Sequence, residues 1–214
     1  MRNQFLTIFL FLSFTALQAQ VQEGKAAMSQ GSQSALFVKL ENIQAKDVEN
    51  QWVKYARSFD GKTDKVKRTD EYMTDDATIK DMSDNTVDIY ALAKQEGPDV
   101  VFFLWFDLGG AFLDARLHGK SIGEGRRILE DFARTVRVDQ MESLIKDQEG
   151  AVKKMEKELA DFEKDQKDAE KAIADLEKKV KEAVKNQEAK RAEIKAGQDK
   201  LTELQQALKK VEKN

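Results

Sequence analysis

VKKMEKELADFEKDQKDAEKAIADLEKKVKEA, residues 152–183, advances in steps of three and four. Val152, Leu159, Gln166, Ile173 and Val180 stand seven apart, and Met155, Phe162, Ala169, Leu176 and Ala183 repeat three residues later. Extended outward, the first series takes in Val138, Ile145, Gln187, Ile194, Leu201 and Leu208. The second takes in Met141, Gln148, Lys190, Gly197, Leu204 and Val211. These are the a and d positions of a heptad repeat, and the residues between them are mostly Lys, Glu, Asp, Gln and Ala, which favour helix. An unbroken helix from Val138 to Val211 would be about 110 Å long at about 1.5 Å per residue. Its apolar stripe is too narrow and too long for a helix buried in a globular core. The coiled-coil seam therefore comprises Val138, Met141, Ile145, Val152, Met155, Leu159, Phe162, Ile173, Leu176, Val180, Ile194, Leu201, Leu204, Leu208 and Val211.

Going backward, the same heptad puts Asp131 at a and Arg134 at d, so the seam stops near Arg137. Upstream, Ile128, Leu129, Phe132, Ala133 and Val136 mark the inner face of a core helix. Its start is read as a capping box, Ser121-Ile122-Gly123-Glu124. The same helix is thus expected to leave a globular core and continue as the rod. Three regions result: a signal peptide at 1–19, an α+β domain at 20–137 and a helical rod at 138–214.

The signal peptide rests on a short basic start (Arg2), an apolar run from Phe5 to Leu17 and the small residue Ala19. The apolar run is too short to cross a bilayer comfortably, so cleavage after Ala19 is expected, with an uncleaved anchor as the alternative. The protein is then exported, periplasmic or extracellular, with no transmembrane helix in the mature chain. The chain contains no Cys, which removes disulfides and lipid modification of an N-terminal Cys. A net charge of −3 with both signs mixed argues against a nucleic-acid partner.

Within 20–137, Ala35 to Leu40 and Thr86 to Lys94 read as strands. In the second, Val87, Ile89, Ala91 and Ala93 face one way. Val100 to Leu108 is apolar on both faces, as in a central strand covered on both sides. Lys25 to Met28 is either a first strand or part of a flexible lead, Lys65 to Thr69 a weak strand, and 70–85 an acidic irregular connection. Asp47 is placed as N-cap of a helix whose inner face is Val48, Trp52, Tyr55, Ala56 and Phe59, ended by Asp60-Gly61. Gln95-Glu96-Gly97-Pro98 reads as a turn and Gly109-Gly110 as a bend. The fold class is α+β: a small, mainly antiparallel sheet with two helices, the second continuing into a long C-terminal coiled-coil helix.

Candidate chemistry is sparse. The single histidine, His118, has no identifiable nucleophile or orienting acid, and with no Cys it cannot build a zinc site. Gly119-Lys120-Ser121 ends like a phosphate-binding loop, but Asp114 stands where that loop requires Gly. Arg116, His118, Lys120 and Ser121 remain a candidate anion site before a helix N-terminus. Asp75, Asp76, Asp81, Asp84, Asn85 and Asp88 are acidic without calcium-loop spacing. No metal and no cofactor is implied; paired carboxylates such as Asp107 and Asp114 could do acid–base work, but acids are abundant and nothing ranks one pair above another. Tyr90, Leu92, Phe103 and Trp105 lie opposite the core faces of their strands. Unless 70–85 or the N-terminal lead covers them, they form a partner face.

The reading that follows is a structural or interaction protein, not an enzyme. The rod would serve self-association or scaffolding, and the α+β domain would bind a protein or an envelope component. The alternative is a small-ligand or anion-binding module oligomerised by the rod. Self-association is expected as an antiparallel dimer, with another coiled-coil protein as the alternative partner.

Overall fold

The computed structural model describes residues 20–211; the N-terminal segment read as a signal peptide lies outside them. Six strands form one sheet: β1 (Gln22–Met28), β2 (Gly31–Leu40), β3 (Lys62–Lys65), β4 (Tyr72–Ala77), β5 (Val87–Glu96) and β6 (Asp99–Asp107). All neighbours are antiparallel in the order β1-β2-β6-β5-β4-β3. Helix α1 (Ala45–Tyr55) carries the chain from β2 to the opposite edge, and β3 to β6 meander back until β6 pairs with β2. Helix α2 (Ser121–Val211) follows, unbroken over 91 residues. The protein is therefore α+β with a long C-terminal helix.

Period-two burial explains the sheet. Val87, Ile89, Ala91 and Ala93 of β5 and Val100, Phe102, Leu104 and Phe106 of β6 point to one face, with Leu36, Val38 and Leu40 of β2. Onto that face pack Val48, Trp52 and Ala56 from the α1 region and Ile128, Leu129, Phe132, Ala133 and Val136 from α2, all essentially without solvent contact. Trp52 is the hub: its ring lies 5.2 Å from Phe132, edge-on, and 5.5 Å from Phe102. Arg126 fastens α2 to β1, donating to the Val21 carbonyl at 3.2 Å and to Glu23 at 3.0 Å. Gln140 donates to the carbonyls of Glu41 and Asn42, both at 3.1 Å.

Several local expectations change. The N-cap of α1 is Gln44, with no side-chain cap bond; Asp47 sits within the first turn, where its charge favours the helix N-terminus. At the start of α2 the Ser121 hydroxyl donates to the Met82 carbonyl at 2.7 Å and Glu124 pairs with Arg127, so the two do not form a reciprocal capping box. The N-terminal lead is strand β1, turned into β2 through Ser29-Gln30. The weak strand at 65–69 is instead β3 at Lys62–Lys65 followed by a turn. The acidic connection contains β4, whose register slips between Thr74 and Ala77 at a bulge where Asp76 has φ 54°. The β5–β6 turn holds Gly97 at φ 65°, a backbone setting that a residue with a Cβ resists.

By internal contacts the chain forms two units, one ending at Ile145 and one beginning at Lys146. In the second unit the described part is helix alone. No helix among the described residues is long and apolar enough to cross a membrane.

Candidate functional site

Two features stand out beyond the core: a polar cleft beside β1 and β2, and the exposed stripe of α2. The cleft arises because Leu108 to Ala111 reverse the chain. Leu108 N–H donates to the Ala111 carbonyl, and Leu113 N–H donates back to Phe106. Gly109, at φ 86°, makes the bend. The returning segment, bridged at Phe112 to Asp107, sits beyond the end of the β2–β6 pairing. Between it and the β1–β2 hairpin lies an open cleft of about 500 Å³. Lys25, Ser34, Asp107, Phe112, Asp114 and Arg116 are among its lining residues.

Asp114 is the best-held group there. It is buried and accepts from Arg116 Nε at 3.1 Å, Arg116 Nη2 at 3.0 Å and the Arg116 backbone N–H at 2.9 Å. The Arg116 hydrogen bonds, helped by the guanidinium charge and the Ser34 hydroxyl, hold this carboxyl well below the usual aspartate range. It is therefore ionised at neutral pH and a poor proton donor. Asp107, also lining the cleft, accepts from the Gly109 N–H at 3.0 Å. The two carboxylates share a cleft, but one is committed to Arg116.

The anion-site residues are dispersed into other roles. Arg116 is spoken for by Asp114. His118 Nδ1 accepts from the Asp114 backbone N–H at 3.2 Å, and the His118 carbonyl accepts from Ser121 and Ile122. The Ser121 hydroxyl belongs to Met82. Lys120 is exposed. These contacts stitch the loop to the start of α2 and leave the four residues without a common focus.

The proposed partner face is mostly interior. Trp105 is fully buried and Tyr90 nearly so, in a second small cluster on the far side of the sheet. Phe103 stacks on Trp105 with centroids 5.7 Å apart, and Phe112 closes over Tyr90 at 6.3 Å. Leu92 and Phe103 keep partial exposure. The cover comes from Phe112 beyond the diglycine bend and from Val66 and Met73, with Ala26 and Met28 of β1 beside them. Glu71, in the supposed irregular connection, is buried here and accepts from the Ser29 N–H at 2.7 Å.

Acidic residues of 75–88 pair locally. Asp88 accepts from the Asp76 N–H at 3.0 Å, and Thr86 donates to Asp76 at 2.8 Å. Burial, reinforced by Asp75, Asp107 and Asp76, raises the Asp88 pKa although the Asp76 N–H opposes the shift. Among the described residues no group of three or more His, Cys, Asp or Glu is placed to hold a metal ion.

The stripe of α2 is the larger feature. Every residue from Glu142 to Lys209 is exposed. From Ile145 to Leu208 the large apolar a and d side chains range from 40 % exposure at Val152 to 69 % at Phe162. Leu144 and Val184 widen the stripe at its flanks, at 59 % and 48 %. They fall at g and e, outside the strict seam, so a and d spacing alone does not reveal them. The cleft's contributors from β1 and β2 were invisible for another reason: no spacing in the sequence links Lys25 or Ser34 to residues 107–117.

No protein-family model, curated protein or solved structure matches this chain.

Proposed function

We propose that this is an exported structural or interaction protein. Its α2 helix beyond Ile145 associates as a coiled coil, and its α+β region engages a protein or an envelope component. The observation that carries this reading is the regular exposed apolar stripe from Val152 to Leu208. Apolar surface left in water at heptad spacing is stabilised by laying it against a second helix, and an isolated helix draws little stability from propensity alone. The test is sedimentation of the full chain over a concentration series, with helix content followed on dilution. Association that weakens on dilution, and that Leu159→Lys with Leu176→Lys abolishes, supports the reading. A monomer at the highest soluble concentration, with full helix content, refutes it. Export is checked by mass spectrometry of the cellular protein: a mature N-terminus at Gln20 is expected, and intact Met1 on most molecules refutes cleavage.

The cleft supports a second reading, a small-ligand or anion-binding module oligomerised by the helix, because the Lys25 ammonium lines it beside the closed Asp114–Arg116 pair. A melting temperature that rises with inorganic phosphate in the parent chain but not in Lys25→Gln would favour that reading. No rise with phosphate or with a sugar acid counts against it.

A further inference from the structure

We infer that the partner of α2 is a second copy of the same chain, running antiparallel, with Leu176 of one copy against Val180 of the other. This rests on the association reading above and adds orientation and register to it. In a parallel in-register pair each seam residue meets itself. Lys190 would then face Lys190, and Gly197 would leave a hole against Gly197. Same-sign flanks, Glu158 by Glu163 and Asp165 by Glu170, would adjoin.

Turning one helix over replaces those clashes. With Leu176 on Val180, Ile173 meets Ala183, Phe162 meets Ile194, Met155 meets Leu201 and Val152 meets Leu204. Leu159 falls on Gly197, a large side chain over a missing one. Phe162, the most exposed of the apolar seam residues, gains a β-branched neighbour. Gln166 meets Lys190, polar against polar, while Gln187 on Ala169 and Gln148 on Leu208 count against the register. Within its own chain Gln166 gives its amide N–H to Glu170 at 2.8 Å, which leaves the amide oxygen to accept from a Lys190 ammonium. At the flanks Glu158 comes beside Lys200 and Glu163 beside Arg191. Asp165 beside Glu193, and Glu177 and Lys179 each beside its own copy, oppose the register. Exposed ion pairs contribute little, so the buried layers decide. Sliding one heptad, so that Leu159 meets Leu204, would press Lys190 onto Ile173 and Gln187 onto Leu176.

The chain has no Cys, which makes engineered thiols the only ones present. The test is the full chain carrying Leu159→Cys and Gly197→Cys, bridged by a short bis-maleimide and mapped by mass spectrometry. Along one helix the two positions are almost 60 Å apart, at about 1.5 Å per residue, so any bridge between them joins two molecules. Bridges joining 159 to 197 are expected, with Met155→Cys and Leu201→Cys giving the same result one turn away. Bridges of 159 to 159 and 197 to 197 overturn the orientation while leaving association standing. Efficient bridging in Leu159→Cys with Leu204→Cys, and none in the first pair, overturns the register. A chain that sediments as a monomer and forms no bridge removes both this inference and the association reading.

Discussion

Phe132 and Phe162 belong to the same helix, thirty residues apart, and their surroundings could hardly differ more. Phe132 is fully buried, 4.7 Å from the Phe102 ring and 5.2 Å from Trp52; Phe162 is 69 % exposed. Helix propensity does not distinguish them. The stripe around Phe132 includes Ile128, Leu129, Ala133 and Val136, broad enough to meet a sheet. The stripe around Phe162 is two positions in seven, suited to one other helix. The width of the stripe, more than the number of apolar residues, separates a side chain buried in the core from one left exposed.

Truncating each residue breaks the comparison most directly. Phe132→Ala should cost about 3–5 kcal/mol, because it opens a cavity among Trp52, Tyr55 and Phe102. Urea denaturation followed by Trp fluorescence reads this, since Trp52 lies against Phe132. Phe162→Ala should leave that transition in place and instead weaken association in sedimentation. Equal loss of the fluorescence-detected transition in both variants would mean that the two regions are not independent.

Two glycines of α2 sharpen the same contrast at smaller amplitude. A Cβ at Gly125 would sit 2.8 Å from Leu113 Cδ2 and 2.9 Å from Leu36 Cδ1, whereas a Cβ at Gly150 meets nothing within 4 Å. Gly125→Ala gains about 1 kcal/mol of helix propensity. Forcing two core side chains aside costs about 1–3 kcal/mol, so net destabilisation is expected. Gly150→Ala keeps the gain and should slow amide hydrogen exchange around residue 150. A stabilised Gly125→Ala would show that the leucine ends have room to move.

What the sequence disclosed follows the same division. Period-two runs such as Val87, Ile89, Ala91 and Ala93, and the helical face from Ile128 to Val136, are long and one-sided, and each is buried on the side expected. Strand β4 escaped notice because Tyr-Met-Thr-Asp-Asp-Ala carries two adjacent aspartates at a bulge. Its strand character comes from pairing with β5, a tertiary effect. Strand β3, four polar residues at the edge, has no pattern to read. The double-sided apolarity of Val100 to Leu108 was legible, but its cover was not: Phe112 reaches Tyr90 only because Gly109 reverses the chain. In the loop before α2, sequence shows a run of cations; it does not show that Asp114, two residues before Arg116, takes that guanidinium for itself.

The smallest expected effect concerns that aspartate and Asp88, which stands opposite Asp107 in the β5–β6 pairing. Asp114 has a folded-state pKa below its unfolded value, so unfolding binds a proton at acid pH. Its contribution is present above the ordinary aspartate range, near about 3.9, and fades as the pH falls toward the folded value. Asp88 is displaced the other way, chiefly by burial, so its folded state takes up the proton first and stability falls as the pH rises through its folded pKa. Asp114→Asn should therefore lower the urea midpoint at neutral pH and flatten its decline on acidification. Asp88→Asn keeps an oxygen to accept the Asp76 N–H and loses a partly buried charge, so it should leave the neutral midpoint unchanged or higher. Midpoints measured from neutral pH to about pH 3 separate the two. If Asp88→Asn instead lowers the neutral midpoint as much as Asp114→Asn does, the charge on Asp88 is stabilising the bulge, and the assignment of burial as the dominant influence on it is wrong.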